Sequence, residues 1–356
     1  MTILVRTNLD IKDAVDIGSS LRFRKAAEEI KNIIKAESDA KLVILSHRGR
    51  PSGADQNLSL KPIKKLLGSY LEKEITFFEN FNFKEIKEKI SSAPNGSISM
   101  LENLRFNDGE TSNDLDFAKN LASLGDLFIN DDFATAHRKN ASNVGITKFI
   151  KSKMGALLKS EVETLNKVIE NPEHPFVLII GGAKMKDKMK VIENLSGKAD
   201  YILLGGGPAN TVLKVLGEEI GESIFEPNML DVAEKLSKNE KVIVPIDWDK
   251  DDSKIFDIGP RTAKRYAEVI LTAKTIIWSG PVGNIDLEHF SKGSYEIANS
   301  IARSKSFSIV GGGDTTEVVS RLKLEDKISF VSTGGGAMLE FLAGKKLPAL
   351  EALKHN

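Results

Sequence analysis

The sequence predicts an α/β fold of two domains, each built on a parallel sheet. Strand-like apolar runs alternate with helix-like amphipathic runs along the chain, an order that is typical of βαβ units. The chain has 356 residues, more than one hydrophobic core usually spans, so two domains of ordinary size are expected. The strand ends of the two halves also differ in chemistry, because the first half carries charged and amide side chains there and the second half carries glycines.

In the first half, four predicted strands end in basic, acidic or amide residues. These segments are ILVRTNLD (3–10), LVILSHRGRP (42–51), SMLENLRF (99–106) and LFINDDFATAHR (127–138). The carboxyl ends of parallel strands meet at one edge of a sheet, so His47, Arg50, Arg105 and Arg138 are expected to converge on an anion. For any single arginine, a solvated surface charge remains the alternative.

Helical spacing of apolar residues predicts the helices between these strands. Residues 22–38 place Ala26, Ile30 and Ile33 on one face, and residues 115–125 show the same pattern before a glycine stop. The longest such pattern runs over 153–171, and we interpret it as the spacer between the domains. An ordinary covering helix is equally consistent with its amphipathic spacing.

In the second half, four apolar runs lead directly into glycines. They are FVLIIGGAK (176–184), YILLGGG (201–207), FSIVGGGDT (307–315) and FVSTGGG (330–336). Glycine admits positive φ and lets main-chain N–H groups approach anionic oxygens closely, so four such exits from one sheet favour a phosphate site. Tight packing at strand–helix turns is the alternative for each run. Residues 337–356 then predict a helix, a stop at Gly344 and a short tail.

Composition narrows the class of protein. Lysine plus arginine and aspartate plus glutamate number 50 each, which argues against a nucleic-acid or membrane-surface partner attracted by overall charge. The absence of cysteine excludes disulfides and thiol catalysis and fits a reducing compartment. No apolar run has the length of a transmembrane helix, and the first ten residues do not resemble a signal peptide. A soluble, cytoplasmic protein is expected.

The absence of several sequence motifs excludes further classes of catalytic and nucleotide-binding site. The sequence has no P-loop, no complete dinucleotide-binding fingerprint at GGGPAN (205–210), no cysteine–histidine or His–Glu zinc cluster and no nucleophile elbow. What remains is a glycine cradle supplied with Lys184, Lys188 and Asp314. Lysines can neutralise a transferring phosphoryl group, and an aspartate beside a phosphate cradle can hold magnesium. This set predicts phosphoryl transfer.

Seven segments together resemble the phosphoglycerate kinase family, in the family's order and over nearly the whole chain. They are SHRGRP (46–51), LENLRF (101–106), TAHR (135–138), GGAKMKDK (181–188), SGPVG (279–283), GGGDTTE (311–317) and VSTGGGA (331–337). The resemblance implies two Rossmann-like domains joined by an interdomain helix. It places a phosphoglycerate-binding domain at 1–153, the interdomain helix at 154–171, a nucleotide-binding domain at 172–342, and a C-terminal tail (343–356) that packs back on the first domain.

The resemblance also implies the reaction. A phosphoryl group would pass reversibly, in line, between 1,3-bisphosphoglycerate and ADP, with Mg²⁺ bound to the nucleotide and in an interdomain cleft that closes for the reaction. A cytoplasmic monomer with small-molecule substrates is expected. Two alternatives stay open: a catalytically weakened phosphoglycerate- or nucleotide-binding protein of the same fold, and a kinase of another small phosphorylated acid.

Site residues follow from the resemblance position by position. The implied substrate-binding residues are Asn8, Asp10, Arg22, His47, Arg50, Arg105 and Arg138. The implied catalytic residues are Arg22, Lys184, Lys188, Gly312 and Gly335. The implied nucleotide-binding residues are Gly182, Lys184, Lys188, Gly205, Gly206, Gly207, Pro281, Asp286, Gly312, Gly313, Asp314 and Thr315, and Asp314 is the implied metal ligand.

Several site positions depart from the family's pattern. Where the family's first strand reads R-V-D-F-N or R-V-D-L-N, this chain has acid and amide exchanged at Asn8 and Asp10. Ser279 replaces an asparagine, and Asp286 replaces a glutamate that reaches the ribose. In addition, Arg48 stands where the family has an apolar residue and Asp132 where it has a small one. These departures put affinity and nucleotide preference in question, while the phosphoryl-transfer residues are retained.

Overall fold

The computed structural model describes residues 1–11 and 20–354, apart from the side chain of Asp187, and the chain forms two compact units. The first unit comprises Met1–Val162 and Lys346–Asn356, and the second comprises Glu163–Lys345. The boundary between them falls inside helix α6 (Ala156–Glu170). No helix in the described ranges is long and apolar enough to cross a membrane.

The first unit is built on a six-stranded parallel sheet. Its strands are β1 (Thr2–Arg6), β2 (Lys41–Leu45), β3 (Ile75–Phe78), β4 (Ile98–Leu101), β5 (Leu127–Asn130) and β6 (Ser152–Met154). The strand order is β3-β4-β2-β1-β5-β6, so β1 lies near the centre. Arg6 is level with Leu45 on one side and with Asn130 on the other. The ends of three neighbouring strands therefore form one edge.

Alternation along the strands divides the first core into two layers. Ile3 and Val5 of β1 pack in one cluster, whereas Leu4 packs in another on the opposite face. Because side chains of a strand alternate between faces, helices must cover both sides of this sheet. The helices of this unit are α1 (Leu21–Ala36), α2 (Lys61–Leu71), α3 (Phe83–Ser92), α4 (Asp108–Ser112), α5 (Leu115–Ala122) and α14 (Pro348–Leu353). Residues of α1 join the first cluster and residues of α5 the second.

The second unit repeats this plan with a second six-stranded parallel sheet. Its strands are β7 (Phe176–Ile180), β8 (Tyr201–Leu204), β9 (Val242–Ile243), β12 (Thr275–Ser279), β13 (Phe307–Gly311) and β14 (Phe330–Val331), and β10 (Trp248–Asp251) and β11 (Lys254–Ile258) form a separate antiparallel pair. The order is β14-β13-β12-β7-β8-β9. The helices that start within this unit are α7 (Lys186–Leu195), α8 (Gly206–Val215), α9 (Leu230–Ser237), α10 (Pro260–Thr272), α11 (Lys292–Arg303), α12 (Gly313–Arg321) and α13 (Gly335–Leu342).

The predicted α/β class, with two parallel sheets flanked by helices, is confirmed. All four glycine-terminated runs lead from strands of the second sheet, and all four polar-terminated runs lead from strands of the first. Two boundaries differ from the sequence prediction. Residues 152–154 form β6 because they pair with β5, so the helix predicted from residue 153 begins at Ala156. The C-terminal segment forms two helices, with Gly344 at φ +76° after the first.

The C-terminal helix α14 belongs to the first unit. The amide of Ala349 donates a hydrogen bond to the carbonyl oxygen of Ala136, at 3.1 Å. Ala349, Leu350 and Leu353 are buried. The main-chain bond thus attaches α14 to the loop that follows β5, and burial of three apolar side chains stabilises the helix in the first unit.

A buried carboxyl group connects the end of β5 to the start of α6. Asp131 Oδ1 accepts a hydrogen bond from the backbone N–H of Leu158, at 3.0 Å, and so satisfies one of the N–H groups that a helix start leaves unpaired. Burial raises the pKa of Asp131 to about 7, although the N–H groups of Leu158 and Leu157 oppose the shift. The helix start is therefore held by a carboxyl group that is partly protonated near neutral pH.

We predict that Asp131→Asn weakens the pH dependence of stability. Between about pH 4 and pH 7 the folded chain keeps a proton that the unfolded chain has released, so the free energy of unfolding falls as pH rises. Asparagine retains the Oδ1 acceptor and does not titrate. Relative to wild type, the variant should gain roughly 2 kcal/mol between pH 5 and pH 8, measured by urea unfolding. Asp116→Asn, at an exposed carboxylate of α5, controls for net charge. Parallel curves for wild type and Asp131→Asn would contradict the prediction.

Candidate active site

A fully buried arginine lies at the centre of the polar edge of the first sheet. Arg6 Nε donates to Ser142 Oγ at 2.9 Å, and its terminal nitrogens donate to the carbonyl oxygen of Thr7 at 2.7 Å and to His47 Nδ1 at 2.8 Å. Its Nη2 atom also lies 3.2 Å from Asp132 Oδ2, and neither side chain is exposed. A buried charge is tolerated only when it is paired and hydrogen-bonded, and both conditions hold here.

Burial and the contact with Arg6 determine the protonation state and the tautomer of His47. Burial lowers the pKa of His47 well below its ordinary value, and the positive charges of the surrounding arginines, Arg6 first among them, lower it further. The imidazole is therefore neutral at physiological pH. Because arginine can only donate, Nδ1 accepts and Nε2 carries the proton. Nε2 lies 3.7 Å from Asp10 Oδ2.

The basic residues predicted for this edge influence one another electrostatically. Burial, followed by the charges of Arg138 and Arg6, lowers the pKa of Arg105 to about 10. Burial, followed by the charge of Arg50, lowers the pKa of Arg138. Arg105 Nε is buried and has no hydrogen-bond partner within the described part of the chain, although another nitrogen of its guanidinium bonds the Gly49 carbonyl. A cluster of like charges of this kind is stabilised by a bound anion.

The remaining predicted residues of this edge are placed as follows. Arg22, near the start of α1, donates to the carbonyl oxygen of Asp10 at 2.6 Å. Arg50 is exposed. Asn8 and Asp10 lie just beyond β1, where the amide of Asp10 donates to Asn8 Oδ1 at 3.0 Å and the amide of Gly49 donates to Asp10 Oδ1 at 2.7 Å.

Sequence reasoning did not assign site roles to Arg6, Asp132, Ser142 or Glu110. Glu110 is fully buried and accepts a 2.6 Å hydrogen bond from Ser142 Oγ, so the chain of contacts from Arg6 continues into the protein. An arginine that ends an otherwise apolar strand was a usable signal for Arg6. No local signal marks Glu110, because its partners are some 30 residues away in sequence.

In the second unit, the four central strands end level with one another. Ser279 is paired with both Ile180 and Gly311, and Ile180 is paired with Leu204. The residue at or directly after each of these ends is a glycine. The glycine runs after β7, β8 and β13, together with the loop after β12, consequently lie along one edge of the sheet, and the run after β14 joins them because Val331 is paired with Val310 of β13.

The glycines of these loops have two distinct environments. A Cβ atom on Gly206, where φ is +56°, would lie 2.6 Å from the carbonyl oxygen of Gly182, and one on Gly207 would overlap the carbonyl oxygen of Ala183. By contrast, a Cβ on Gly313 would meet nothing within 4 Å, and one on Gly335 would have its nearest neighbour at 3.9 Å. Tight backbone packing therefore explains the loop after β8, whereas the loops after β13 and β14 border open space.

A pocket of about 490 Å³ opens beside these loops. The predicted residues that line it are Gly182, Gly206, Pro281, Asp286 and Asp314. Ile224, Phe256 and Val282 supply apolar walls. Its volume lies in the range of small-molecule sites, and an apolar pocket with a few polar groups is the usual form of such a site. Burial raises the pKa of Asp257, which also lines the pocket, to about 7.

The polar and charged residues predicted for this edge of the second sheet differ in their exposure to solvent. Lys184 is exposed, whereas Lys188 is buried and donates to the Gly181 carbonyl oxygen. Thr315 Oγ1 accepts a 2.7 Å hydrogen bond from the N–H of Gly280. Asp314 is exposed in the first turn of α12. Among the described residues no three acidic, histidine or cysteine side chains cluster around a possible metal position. A single carboxylate fits Mg²⁺ that takes its other ligands from phosphates and water.

Comparison with known proteins gives a consistent result. A family model described as "Phosphoglycerate kinase" matches residues 1–345. Curated proteins named phosphoglycerate kinase from Finegoldia magna and Dictyoglomus turgidum are 40% and 41% identical, each alignment covering 99% of this chain and 95% of the relative. The solved phosphoglycerate kinases of Coxiella burnetii and Pyrococcus horikoshii are 36% and 30% identical, with TM-scores of 0.84 and 0.86 and coverage of 99% of this chain and 96% of theirs.

We predict that Gly206→Ala destabilises the second unit. The substitution forces a side chain into positive φ and against the Gly182 carbonyl oxygen, which should lower the free energy of unfolding by about 1–3 kcal/mol. Gly197→Ala is the matched control, since a Cβ there would meet nothing within 4 Å. Chemical denaturation of both variants measures the difference. Equal stability of the two would show that the loop relaxes around the added methyl group.

Proposed function

This chain belongs to the phosphoglycerate kinase family, and we propose that its first unit binds the glycerate substrate while its second unit binds the nucleotide. The chain catalyses reversible phosphoryl transfer between 1,3-bisphosphoglycerate and ADP, which yields 3-phosphoglycerate and ATP in glycolysis. The alternative of a weakened binding protein is not favoured, because relatives named as kinases match over nearly the full chain.

The observation that carries the substrate assignment is the cluster of guanidinium groups around a neutral His47. In our proposal, His47, Arg50, Arg105 and Arg138 bind the remote phosphate and the glycerate, with Asn8 and Asp10 at the glycerate hydroxyl. Burial, followed by the charges of neighbouring arginines, lowers the pKa of Arg105 and Arg138, and a bound phosphate would favour their charged forms. Arg22 is proposed to approach the transferring phosphoryl group.

The nucleotide assignment is supported by the 490 Å³ pocket and its glycine loops. We assign the adenine and ribose walls to Gly182, Gly205, Gly206, Gly207 and Pro281, with Asp286 at the ribose. The loops with Gly312, Gly313 and Gly335 are proposed to hold the phosphates through main-chain N–H groups, and Gly313 and Gly335 border open space. Thr315, Lys184 and Lys188 complete this set.

Magnesium is proposed to accompany the nucleotide, with Asp314 as its protein ligand. Mg²⁺ bound to the phosphates would neutralise part of their negative charge during transfer. Asp314 is suited to this role because it is exposed at the edge of the pocket, beside the open glycine loops. We also propose a monomeric, cytoplasmic enzyme. The absence of cysteine is compatible with a reducing compartment.

The reaction requires no general base from the protein. In the direction of ATP consumption the nucleophile is the carboxylate of 3-phosphoglycerate, which is already ionised near neutral pH. The protein therefore contributes positioning and charge stabilisation. A loose phosphoryl-transfer transition state carries negative charge on three oxygens, and each well-placed donor contributes about 10²–10³ in rate.

The proposed function is tested by a coupled assay of the purified protein with 3-phosphoglycerate, ATP and magnesium, and by the reverse reaction. Turnover is expected in both directions. Chelation of the metal with EDTA should abolish it, and added Mg²⁺ should restore it, because the nucleotide phosphates would otherwise keep their full charge. Turnover that is unchanged in EDTA would contradict the magnesium assignment.

Two substitutions separate transfer from substrate binding. Lys184→Ala should lower kcat by about 10²–10³ with little change in the KM for 3-phosphoglycerate, because the lysine is assigned to charge on the transferring group. Arg50→Ala should chiefly raise that KM, by roughly 10-fold or more, through loss of a charge-assisted hydrogen bond. Lys190→Ala, at an exposed lysine of α7, is the matched control and should retain both constants. Near-normal kcat in Lys184→Ala would remove that residue from the catalytic set.

A further inference from the structure

We infer that Asp132, in the loop that follows β5, is a positioning residue for the glycerate substrate and that it supplies the carboxylate that the family's sequence pattern places at position 8. The inference rests on the proposed binding of 3-phosphoglycerate at the edge of the first sheet. The exchange at Asn8 and Asp10 and the unusual Asp132 looked like separate departures in the sequence. In the structure, Asn8 Nδ2 donates directly to Asp132 Oδ1 at 2.9 Å, across 124 residues of sequence.

The register of the sheet produces this juxtaposition. Arg6 and Asn130 are paired and are the last residues of β1 and β5, so the residues two positions beyond these strand ends, Asn8 and Asp132, follow at the same level. Arg6 is likewise paired with Leu45, which places His47 at that level on the other side. His47 Nδ1 lies 4.0 Å from Asp132 Oδ2. Asp132 therefore stands at the meeting point of three strand ends.

Both oxygens of the Asp132 carboxylate accept hydrogen bonds from neighbouring groups. Oδ1 accepts from Asn8 Nδ2 and from the Thr135 amide, at 2.9 and 3.2 Å. Oδ2 accepts a 2.7 Å hydrogen bond from Thr135 Oγ1 and lies 3.2 Å from the Arg6 guanidinium. The side chain has no exposure, so it acts on the substrate only through its neighbours. It balances the charge of Arg6, and Arg6 in turn donates to His47.

Asp132 also determines what Asn8 and Asp10 present to a ligand. A carboxylate accepts only, so it holds the NH₂ group of Asn8 and directs the Asn8 Oδ1 atom to the Asp10 amide. The Asp10 carboxylate is tied through Oδ1 to Gly49, while Oδ2 faces the protonated Nε2 of His47 and the side chain remains 31% exposed. Asp10 is thus the accessible acceptor for a glycerate hydroxyl.

The same geometry explains why position 132 is acidic and position 8 is not. A carboxylate at position 8 would stand about one hydrogen-bond length from Asp132, since the present contact is 2.9 Å. Two buried carboxylates at that distance repel each other, and one must take up a proton. With Asp132 replaced by a small residue, a carboxylate at position 8 has space and donors. The residue type tolerated at position 8 should therefore depend on the residue at position 132.

The experiment is a double-mutant cycle of wild type, Asn8→Asp, Asp132→Ala and the double variant, with affinity for 3-phosphoglycerate measured by calorimetry. Each single variant should bind at least about 10-fold more weakly, and the double variant should recover to within about 3-fold of wild type. Affinity for Mg-ADP should be unchanged throughout, because that ligand is assigned to the second unit. This readout separates positioning from a general loss of fold.

Asp132→Asn covers the case in which Asp132→Ala does not fold. It keeps the shape of the side chain and an acceptor for Asn8 but removes the charge opposite Arg6, and the same loss of affinity is expected. Asp131→Ala is the matched control: it removes a neighbouring buried carboxylate that bonds α6, and Asn8→Asp should not rescue it. Wild-type affinity in both Asp132 variants, or a double variant as weak as the two single defects combined, would overturn the inference. A wild-type protein that fails to bind 3-phosphoglycerate would instead overturn the proposed function.

Discussion

Parallel strands that end level with one another are the constraint on which both units depend. In the first sheet, Arg6, Leu45 and Asn130 are in register, and polar and charged side chains follow them. In the second sheet, Ile180 and Ser279 are in register with their neighbours, and glycines follow. One register rule thus assembles side chains in one unit and main-chain N–H groups in the other. A residue inserted before a strand end would displace one member of the set without moving the rest.

The two edges differ in the groups that they would present to the negatively charged ligands proposed for them. The first edge concentrates guanidinium groups, and it keeps Arg6 buried by pairing it with Asp132 and with hydrogen-bond acceptors. Burial, and after it the charges of neighbouring arginines, lowers the pKa of Arg105 and Arg138, and a bound anion would favour their charged forms. The second edge needs close approach of backbone rather than charge density. Its glycines pack against one another after β8 and leave open space after β13 and β14.

Much of the fold and part of the site could be predicted from the sequence because both depend on local pattern. Apolar runs and their terminal residues predict eight of the strands, although not β12, which lies between β7 and β13. The placement of Lys184, Asp314 and His47 after strand ends follows from the same runs. The contact of Asn8 with Asp132 could not be predicted, since no periodicity connects residues 124 positions apart. Strand β6 was missed because its pairing with β5 overrides a local helical pattern. Sequence also could not separate glycines required by packing from those that border open space.

Burial explains which departures from the family's pattern require new interaction partners and which do not. Arg48 is buried, and its guanidinium donates to the carbonyl oxygens of Ile11 and Asn57, each at 3.0 Å. Asp132 is buried, and its partner Asn8, just beyond β1, differs from the family's pattern with it. An unpaired charge at either position would cost several kcal/mol, so such a change persists only with new partners. Asp286 is exposed at the pocket and carries no such requirement. Substitutions in the buried edge are therefore expected to be coupled, whereas those at the rim of the pocket proposed for the nucleotide can vary singly without endangering the fold.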